Sequence, residues 1–186
     1  MAARLGSEMK IGRLMAVKAL LTGKLTSFEI REGRLQRTER KAYLKELIEI
    51  EDNVTREKST RTIYHKVTFY EYRRENKASG SFHFQLSSTE TGAVLVSGVV
   101  ELSPVDQVHY AVFDGEAENL VPGHWEHIDR DSPKDNIRDE PKQIRDMQNL
   151  FEARQTIKPA GILRDELTGG IALAVSQAIN AYNPEQ

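Results

Sequence analysis

The clearest hydrophobic pattern in the chain lies in residues 62–102 and has the two-residue period of β-strands. Phe82, Phe84 and Leu86 alternate with polar residues, which is typical of a half-buried antiparallel strand. Residues 88–92, which precede the next apolar run, are of types that favour a turn. We therefore predict an antiparallel meander of three strands, at 62–72, 79–87 and 93–102.

Two more strands are predicted before the meander. Residues 17–30 form an apolar and then β-prone run, which predicts a buried strand. Residues 41–51 alternate loosely between apolar and polar, and the polar residues 52–60 that follow predict an exposed hairpin loop. The sheet is therefore expected to contain about five strands.

Apolar residues at helical spacing predict three helices, at 3–16, 141–155 and 162–182. The last helix should cover the sheet with one apolar stripe: Leu163, Leu167, Ile171, Ala174, Ala178 and Tyr182. Gly169 and Gly170 interrupt it, and a glycine costs about 1 kcal/mol relative to alanine in a helix interior. We expect a close approach of another segment, or a kink, at this pair.

These elements predict an α+β fold, with an antiparallel sheet of about five strands packed against N-terminal and C-terminal helices; mixed strand pairing stays open. At 186 residues the chain is expected to form a single domain over 1–186. Residues 114–140 are rich in Gly, Pro, Asp and Asn and show neither the helical nor the strand spacing of apolar residues, so we predict a long surface loop. Because the first helix starts almost at the first residue, we expect that an N-terminal leader or lipidation segment is lacking.

Charge and composition narrow the function classes. Lys and Arg number 26 against 28 Asp and Glu, a net charge of −2, so no overall positive field draws the chain onto nucleic acid. The chain has no cysteine, which excludes disulfides, thiolate zinc sites and cysteine nucleophiles. No apolar run approaches the roughly 18 to 20 residues that a membrane-spanning helix needs.

The densest group of possible metal ligands lies in the predicted loop: His124, His127, Asp129 and Asp131. These residues would suit a metal-dependent hydrolase, but metal-binding histidines usually share one face of a helix. We favour a polar loop anchored by Trp125. No Gly-x-Ser-x-Gly or phosphate-binding motif occurs, so we assign no catalytic residue, cofactor or metal.

Aromatic residues give the best candidates for partner binding, since large aromatic side chains dominate protein interfaces. Tyr70 and Tyr72 lie on one face of the first meander strand, and Trp125 and His124 lie in the loop. Aromatic and basic residues also alternate on that strand, as in platforms for single-stranded nucleic acid. We favour a sheet with two moderately covered faces over a nucleic-acid platform, because the opposite face is hardly more apolar, and we predict no nucleic-acid partner.

Two parts of the chain resemble curli-secretion lipoproteins and other CsgG-like envelope proteins of bacteria. Residues 12–26 resemble the passage from helix to strand in that family. The second match resembles its strand, strand, Thr-Gly turn and strand: residues 64–75, 82–86, 89–92 and 94–100. The resemblance implies an α+β domain of an envelope protein, lipid-anchored at its N-terminus in the periplasm or at the outer membrane.

This resemblance predicts a non-enzymatic protein that assists secretion or assembly through contacts with other envelope proteins, self-association included. It implies membrane association only through an N-terminal lipid anchor. The sequence lacks a lipid-accepting cysteine and clear membrane-inserting hairpins. A monomeric lipoprotein adaptor that activates a cell-wall enzyme therefore stays an alternative, as does the metal-dependent hydrolase.

Overall fold

The computed structural model describes residues 18–51, 56 and 58–182. They contain a large antiparallel sheet of seven strands and two α-helices, so the α+β prediction is confirmed, with seven strands in place of about five. The strands are β1 Ala19–Glu32, β2 Gln36–Glu51, β3 Lys58–Ser88, β4 Val94–Leu102, β5 Val105–Val112, β6 Leu120–His124 and β7 Asn136–Ile137. The helices are α1 Pro141–Glu152 and α2 Ala160–Asn180. The predicted helix at 3–16 lies outside the described residues.

The strand β3 is 31 residues long and pairs with more strands than any other described element. The two strands predicted at 62–72 and 79–87 are one continuous strand. Residues 73–77 are all polar, but β5 pairs with β3 from Tyr70↔Val112 to Lys77↔Val105. These ladder hydrogen bonds satisfy the polar backbone, so the segment stays extended without apolar side chains.

Two of the predicted hairpins are present, and the third, between 62–72 and 79–87, is not, because these residues form one strand. β2 pairs with β3 from Gln36↔Arg73 to Glu51↔Lys58, so these two strands form a hairpin; residues 52–55 and 57 of the predicted loop lie outside the described residues, and 58–60 belong to β3. β4 pairs with β3 as far as Ser87↔Val94. Gly92 has a φ of +71° in the connecting turn, a left-handed conformation that glycine adopts without steric cost.

The chain divides into two compact units, where the sequence predicted one domain. The first unit holds the described residues of 1–29, 78–104 and 164–186, and the second those of 30–77 and 105–163. β1, β3 and α2 contribute residues to both units. No helix in the described part of the chain is both long and apolar enough to cross a bilayer.

In the second unit, α1 packs on the sheet and closes a core made of Ala42, Phe69, Ala111, Leu120 and Met147. The segment 114–140, predicted as one surface loop, contributes to this unit's interior. It contains β6 and β7 and buries Leu120, Val121 and Trp125. The prediction was wrong because β6 pairs with β2 at Ala42 to Leu44, which brings the segment into the sheet. Two adjacent apolar residues, Leu120 and Val121, are too few to show the alternation that predicts a strand.

In the first unit, α2 buries Leu167, Ile171 and Val175, close to the stripe predicted for this helix. β1 was predicted to be a buried strand, and its existence is confirmed but its burial is not. Almost every one of its 14 residues is exposed. β1 lies at the end of the strand order, so among the described strands only β3 covers one of its two edges.

The two adjacent glycines of α2 provide a matched pair for a stability prediction. A Cβ atom on Gly169 would meet nothing within 4 Å, whereas one on Gly170 would lie 2.8 Å from Leu102 Cδ1. Gly169→Ala should raise the free energy of unfolding by about 1 kcal/mol through helix propensity. Gly170→Ala should gain less, because the Leu102 side chain must move. Urea denaturation of both variants measures this, and equal gains would contradict the packing at Gly170.

Candidate functional site

Trp125, predicted as a partner contact, is a structural anchor inside the second unit. Its ring is only 6% exposed. The indole Nε1 donates hydrogen bonds to the carbonyl oxygens of Ala42 at 3.2 Å and Val67 at 3.3 Å. Lys41 Nζ lies 4.3 Å from the ring centroid and donates to the Trp125 carbonyl. The ring therefore holds the segment after β6 against β2 and β3 and does not present a surface.

The other predicted partner-binding residues lie on separate elements. Tyr70 and Tyr72 are half-buried on β3; Arg37 Cζ lies 4.4 Å from the Tyr70 ring, and Tyr72 stacks on Tyr110 with ring centroids 5.0 Å apart. His124 ends β6 with its side chain exposed. Within the described part of the chain, no hydrogen bond or ring contact joins the two tyrosines to His124 or Trp125, so the four do not form one site.

The ammonium group of Lys66 occupies the interior of the segment that had suggested a metal site. Lys66 Nζ lies 2.7 Å from Asp135 Oδ2 and 3.2 Å from Asp131 Oδ1. It also donates to the carbonyl oxygens of His127 at 3.0 Å and Arg130 at 2.6 Å. Among the residues that the structure describes, no group of three His, Asp or Glu side chains could hold a metal ion. The carboxylates of Asp131 and Asp135 thus bind the ammonium group of Lys66.

Asp135 is the main anionic partner of Lys66. The hydrogen bond from Lys66 and the one from the Glu126 backbone N–H lower the pKa of Asp135 to about 2. In return, the hydrogen bond to Asp135 raises the pKa of Lys66. Both groups are therefore charged across the physiological range, and neither is suited to proton transfer near neutral pH.

A second charged cluster surrounds Glu71 on β3, which is 6% exposed. Arg40 Nε donates to Glu71 Oε2 at 2.5 Å, and Arg73 donates to Oε1 through Nη2 at 2.5 Å and through Nε at 3.0 Å. His109 Nε2 also contacts Oε1. The carboxylate therefore has three side-chain partners, contributed by β2, β3 and β5.

These partners decide the ionisation of Glu71. Burial by itself raises the pKa of a carboxyl group, but the hydrogen bonds from Arg40, Arg73 and His109 outweigh burial and lower the pKa of Glu71 to about 2. The group stays ionised and accepts hydrogen bonds only. Its role in this arrangement is to fix the positions of the two arginines.

Beyond Glu71, the sheet of the second unit borders an open groove of about 870 Å³. We call it the basic groove. Its lining side chains come from the end of β1, the connection that follows, the start of β2, and from β3 and β5: Arg31, Glu32, Arg34, Gln36, Arg73, Arg74, Glu75, Lys77, Gln107, Val108 and His109, with Gly33. Five lining residues are Lys or Arg and two are Glu, which gives a local net charge of +3 in a chain of net charge −2.

The connection that borders the basic groove is fixed to β3 at Gly33. The Gly33 N–H donates to the Glu75 carbonyl oxygen at 2.9 Å and to Asn76 Oδ1 at 3.1 Å. Asn76 is 1% exposed and its Nδ2 donates to the Lys158 carbonyl oxygen. A Cβ atom on Gly33 would lie 2.2 Å from the Glu75 carbonyl oxygen, so only glycine permits this approach. Arg34, the next residue, therefore starts from a fixed backbone.

The first unit has an apolar groove of about 600 Å³ beside the exposed strand β1. It is lined mainly by side chains of β1, β3 and α2: Leu21, Leu25, Phe82, Ile171, Ala172, Val175 and Ile179. Leu21 and Leu25 are each about half exposed, at 48% and 49%. This apolar groove therefore lies beside the strand edge of β1 that has no partner strand among the described residues.

Comparisons with known proteins add no relative: no family model, no curated protein and no solved structure matches this chain.

The Glu71 cluster and the basic groove were not found in the sequence. Their residues lie on four strands and in one connection, and the groove forms only when β3 pairs with β5. One signal was available: Glu71 lies two residues from the apolar Phe69 on the same strand face. A carboxylate that continues an apolar row in this way needs cationic partners when it is buried.

The depressed pKa of Glu71 predicts a pH-dependent contribution to stability. Its folded-state pKa of about 2 is below the ordinary value of 4.5, so the contribution is full above pH 4.5 and is lost as the pH falls toward 2. Glu71→Gln should destabilise the protein at pH 7, and the difference from wild type should shrink at pH 3. Urea denaturation at both values measures it; a difference independent of pH would contradict the ion pairing of Glu71.

The central position of Lys66 predicts a second difference in stability. Lys66→Gln should lower the melting temperature, because Asp135 and two carbonyl oxygens lose their shared donor. The matched control is Lys58→Gln, since Lys58 makes one exposed ion pair with Glu49 at 3.9 Å and such pairs contribute little. Thermal unfolding followed by circular dichroism compares the two variants. Equal shifts would show that Lys66 does not organise this segment.

Proposed function

We propose that this protein is a non-enzymatic component of the bacterial envelope that assists secretion or assembly by binding other protein chains through the edge of β1. The observation that carries the proposal is the exposed edge strand β1 with the apolar groove beside it. The envelope location, in the periplasm or at the outer membrane, follows from the resemblance of residues 12–26 and 64–100 to curli-secretion proteins.

The edge of β1 has the properties of a strand-pairing site. β1 is 14 residues long and lies at the end of the strand order, so one row of its backbone N–H and C=O groups lacks a partner strand among the described residues. Its large apolar residues are exposed: Leu20 at 56%, Leu21 at 48%, Leu25 at 49% and Phe28 at 42%. Long, exposed, apolar edges pair readily with another chain, and soluble proteins usually protect them.

The partner that fits this edge is a second copy of the chain. Antiparallel pairing of two β1 strands about a two-fold axis at Gly23 sets Leu21 of each copy opposite Leu25 of the other. Both leucines line the apolar groove, so the grooves of the two copies would join into one continuous surface. In the same register Lys24 lies opposite Thr22, and no two like charges meet within residues 19–27.

The charged clusters also support a binding role over a catalytic one. The two carboxyl groups with the largest shifts, Glu71 and Asp135, both have a pKa of about 2. A general base works best with a pKa near the operating pH. Each of these carboxylates instead accepts hydrogen bonds from a cationic side chain, so the clusters serve to hold the fold.

Self-association through β1 is tested with a matched pair of leucine substitutions. Leu25→Lys should raise the dissociation constant of the dimer at least about tenfold, because an interfacial Leu contributes roughly 1.5–3 kcal/mol. Leu47→Lys is the control, since Leu47 is 64% exposed on β2 and lies outside the proposed surface. Size-exclusion chromatography with light scattering, over a dilution series, measures both variants.

The register is tested independently by cross-linking, which the absence of cysteine in the chain makes simple. The double variant Thr22→Cys/Lys24→Cys should form a disulfide-linked dimer under mild oxidation, whereas Thr22→Cys alone should not. A wild-type protein that is monomeric at high concentration, with no cross-linked dimer, would refute this interface. That result would favour a monomeric adaptor that activates another envelope protein.

A further inference from the structure

We propose that the basic groove of the second unit is a binding site for a soluble anion that carries two or more phosphate groups. The groove does not include residues 19–27, which pair in the proposed dimer, so this site goes beyond the proposed assembly role. It rests on the charge of the groove, on the way its cations are held, and on the types of residue that are missing from its lining.

Part of the positive charge in this groove is not neutralised by the fold: Arg73 pairs with Glu71 and Arg74 lies near Glu32, but other lining cations remain. Five of its twelve lining residues are Lys or Arg, although the whole chain has a slight excess of acidic residues. Like charges in one concave surface repel each other, and this repulsion destabilises the folded state unless an anion neutralises it. A bound anion would remove that cost.

Some of these cations are used by the protein and others are available. Arg73 is committed to Glu71, and Arg74 Nε donates to the Gly33 carbonyl oxygen at 2.9 Å while its Nη2 lies 3.8 Å from Glu32. By contrast, Arg34 and Lys77 make no ion pair or side-chain hydrogen bond within the described residues. These two side chains are therefore the primary anion-binding groups.

The groove is also preorganised, which favours binding because little ordering is then required. The backbone before Arg34 is fixed at Gly33 by Glu75 and Asn76. Lys77 follows Asn76 on β3, where β5 pairs with it at Val105. Arg73 cannot turn away without breaking its two hydrogen bonds to the buried Glu71. The backbone at Arg34 and Lys77 and the side chain of Arg73 are thus held before any ligand arrives.

The side chains favour phosphate groups over other anionic partners. Four of the five cationic residues are arginines, whose planar guanidinium group donates two parallel hydrogen bonds to an oxyanion. The lining contains no Phe, Tyr or Trp, and Val108 is its only large apolar residue. Single-stranded nucleic acid needs aromatic side chains for base stacking, and protein interfaces use aromatic anchors. A small, highly charged anion needs neither.

The size of the groove indicates more than one phosphate. A volume of about 870 Å³ is comparable to that of pockets for drug-sized ligands, and it far exceeds the space of one phosphate ion. The lining cations also come from two neighbouring segments, with Arg34 on the connection after β1 and Lys77 on β3. An oligophosphate offers a separate phosphate group to each of them.

Isothermal titration calorimetry with sodium tripolyphosphate tests the site in the full chain. Tripolyphosphate should bind at least about tenfold more tightly than inorganic phosphate, and its affinity should fall steeply between 50 and 200 mM salt, as expected for ion pairing. The double variant Arg34→Gln/Lys77→Gln should weaken binding at least about tenfold.

The matched control is Lys58→Gln/Arg61→Gln, which removes the same charge from the exposed β2–β3 hairpin of the same unit. This control should bind tripolyphosphate as wild type does. Equal losses in the two double variants would show nonspecific attraction and overturn the site, as would the absence of tripolyphosphate binding by the wild type.

Two further probes separate the alternative sources of negative charge. A polyglutamate peptide that binds as tightly as tripolyphosphate, or vesicles of anionic phospholipid that bind when tripolyphosphate does not, would each overturn the proposal for a soluble oligophosphate. Light scattering on the Arg34→Gln/Lys77→Gln variant should show the same oligomeric state as wild type. Failure of the phosphate site and failure of the β1 interface are therefore distinguishable.

Discussion

The backbone pairing along β3 is the constraint on which the rest of the structure depends. Four other strands, β1, β2, β4 and β5, form hydrogen bonds with this 31-residue strand. Its central residues 70–73 pair with β2 on one edge and with β5 on the other. Because strand pairing satisfies backbone polar groups regardless of side-chain type, β3 can cross a markedly polar stretch. The side chains in that stretch are then free to carry charge for other purposes.

Charge in this protein is organised by pairing within the second unit. Glu71 and Lys66 are poorly exposed ions, and each is surrounded by several partners of opposite charge or by carbonyl oxygens. Removing a partner from such a cluster leaves a polar group without compensation, so the clusters restrict their segments to one arrangement. Glu71 holds the arginines beside the basic groove, and Lys66 holds the segment between β6 and β7. The same interactions that stabilise this unit therefore shape its surface.

The two proposed surfaces differ in chemistry, and each lies within one compact unit. The β1 edge offers unpaired backbone groups and exposed leucines, which suit another polypeptide strand. The basic groove offers guanidinium and ammonium groups without aromatic side chains, which suits a small polyanion.

The sequence by itself determined the α+β class, the antiparallel hairpins and the two described helices, because these depend on local periodicity and on turn residues such as Gly92. It also indicated the apolar stripe of α2, including Leu167 and Ile171. The tertiary structure alone decided that β3 is continuous, that Trp125 is buried and that β1 is exposed. Whether a residue is buried depends on which element packs against it. Alternation of apolar and polar residues along a strand shows only that its two faces differ in polarity. The basic groove had no local signal, since Arg34, Arg73, Lys77 and His109 meet only through strand register.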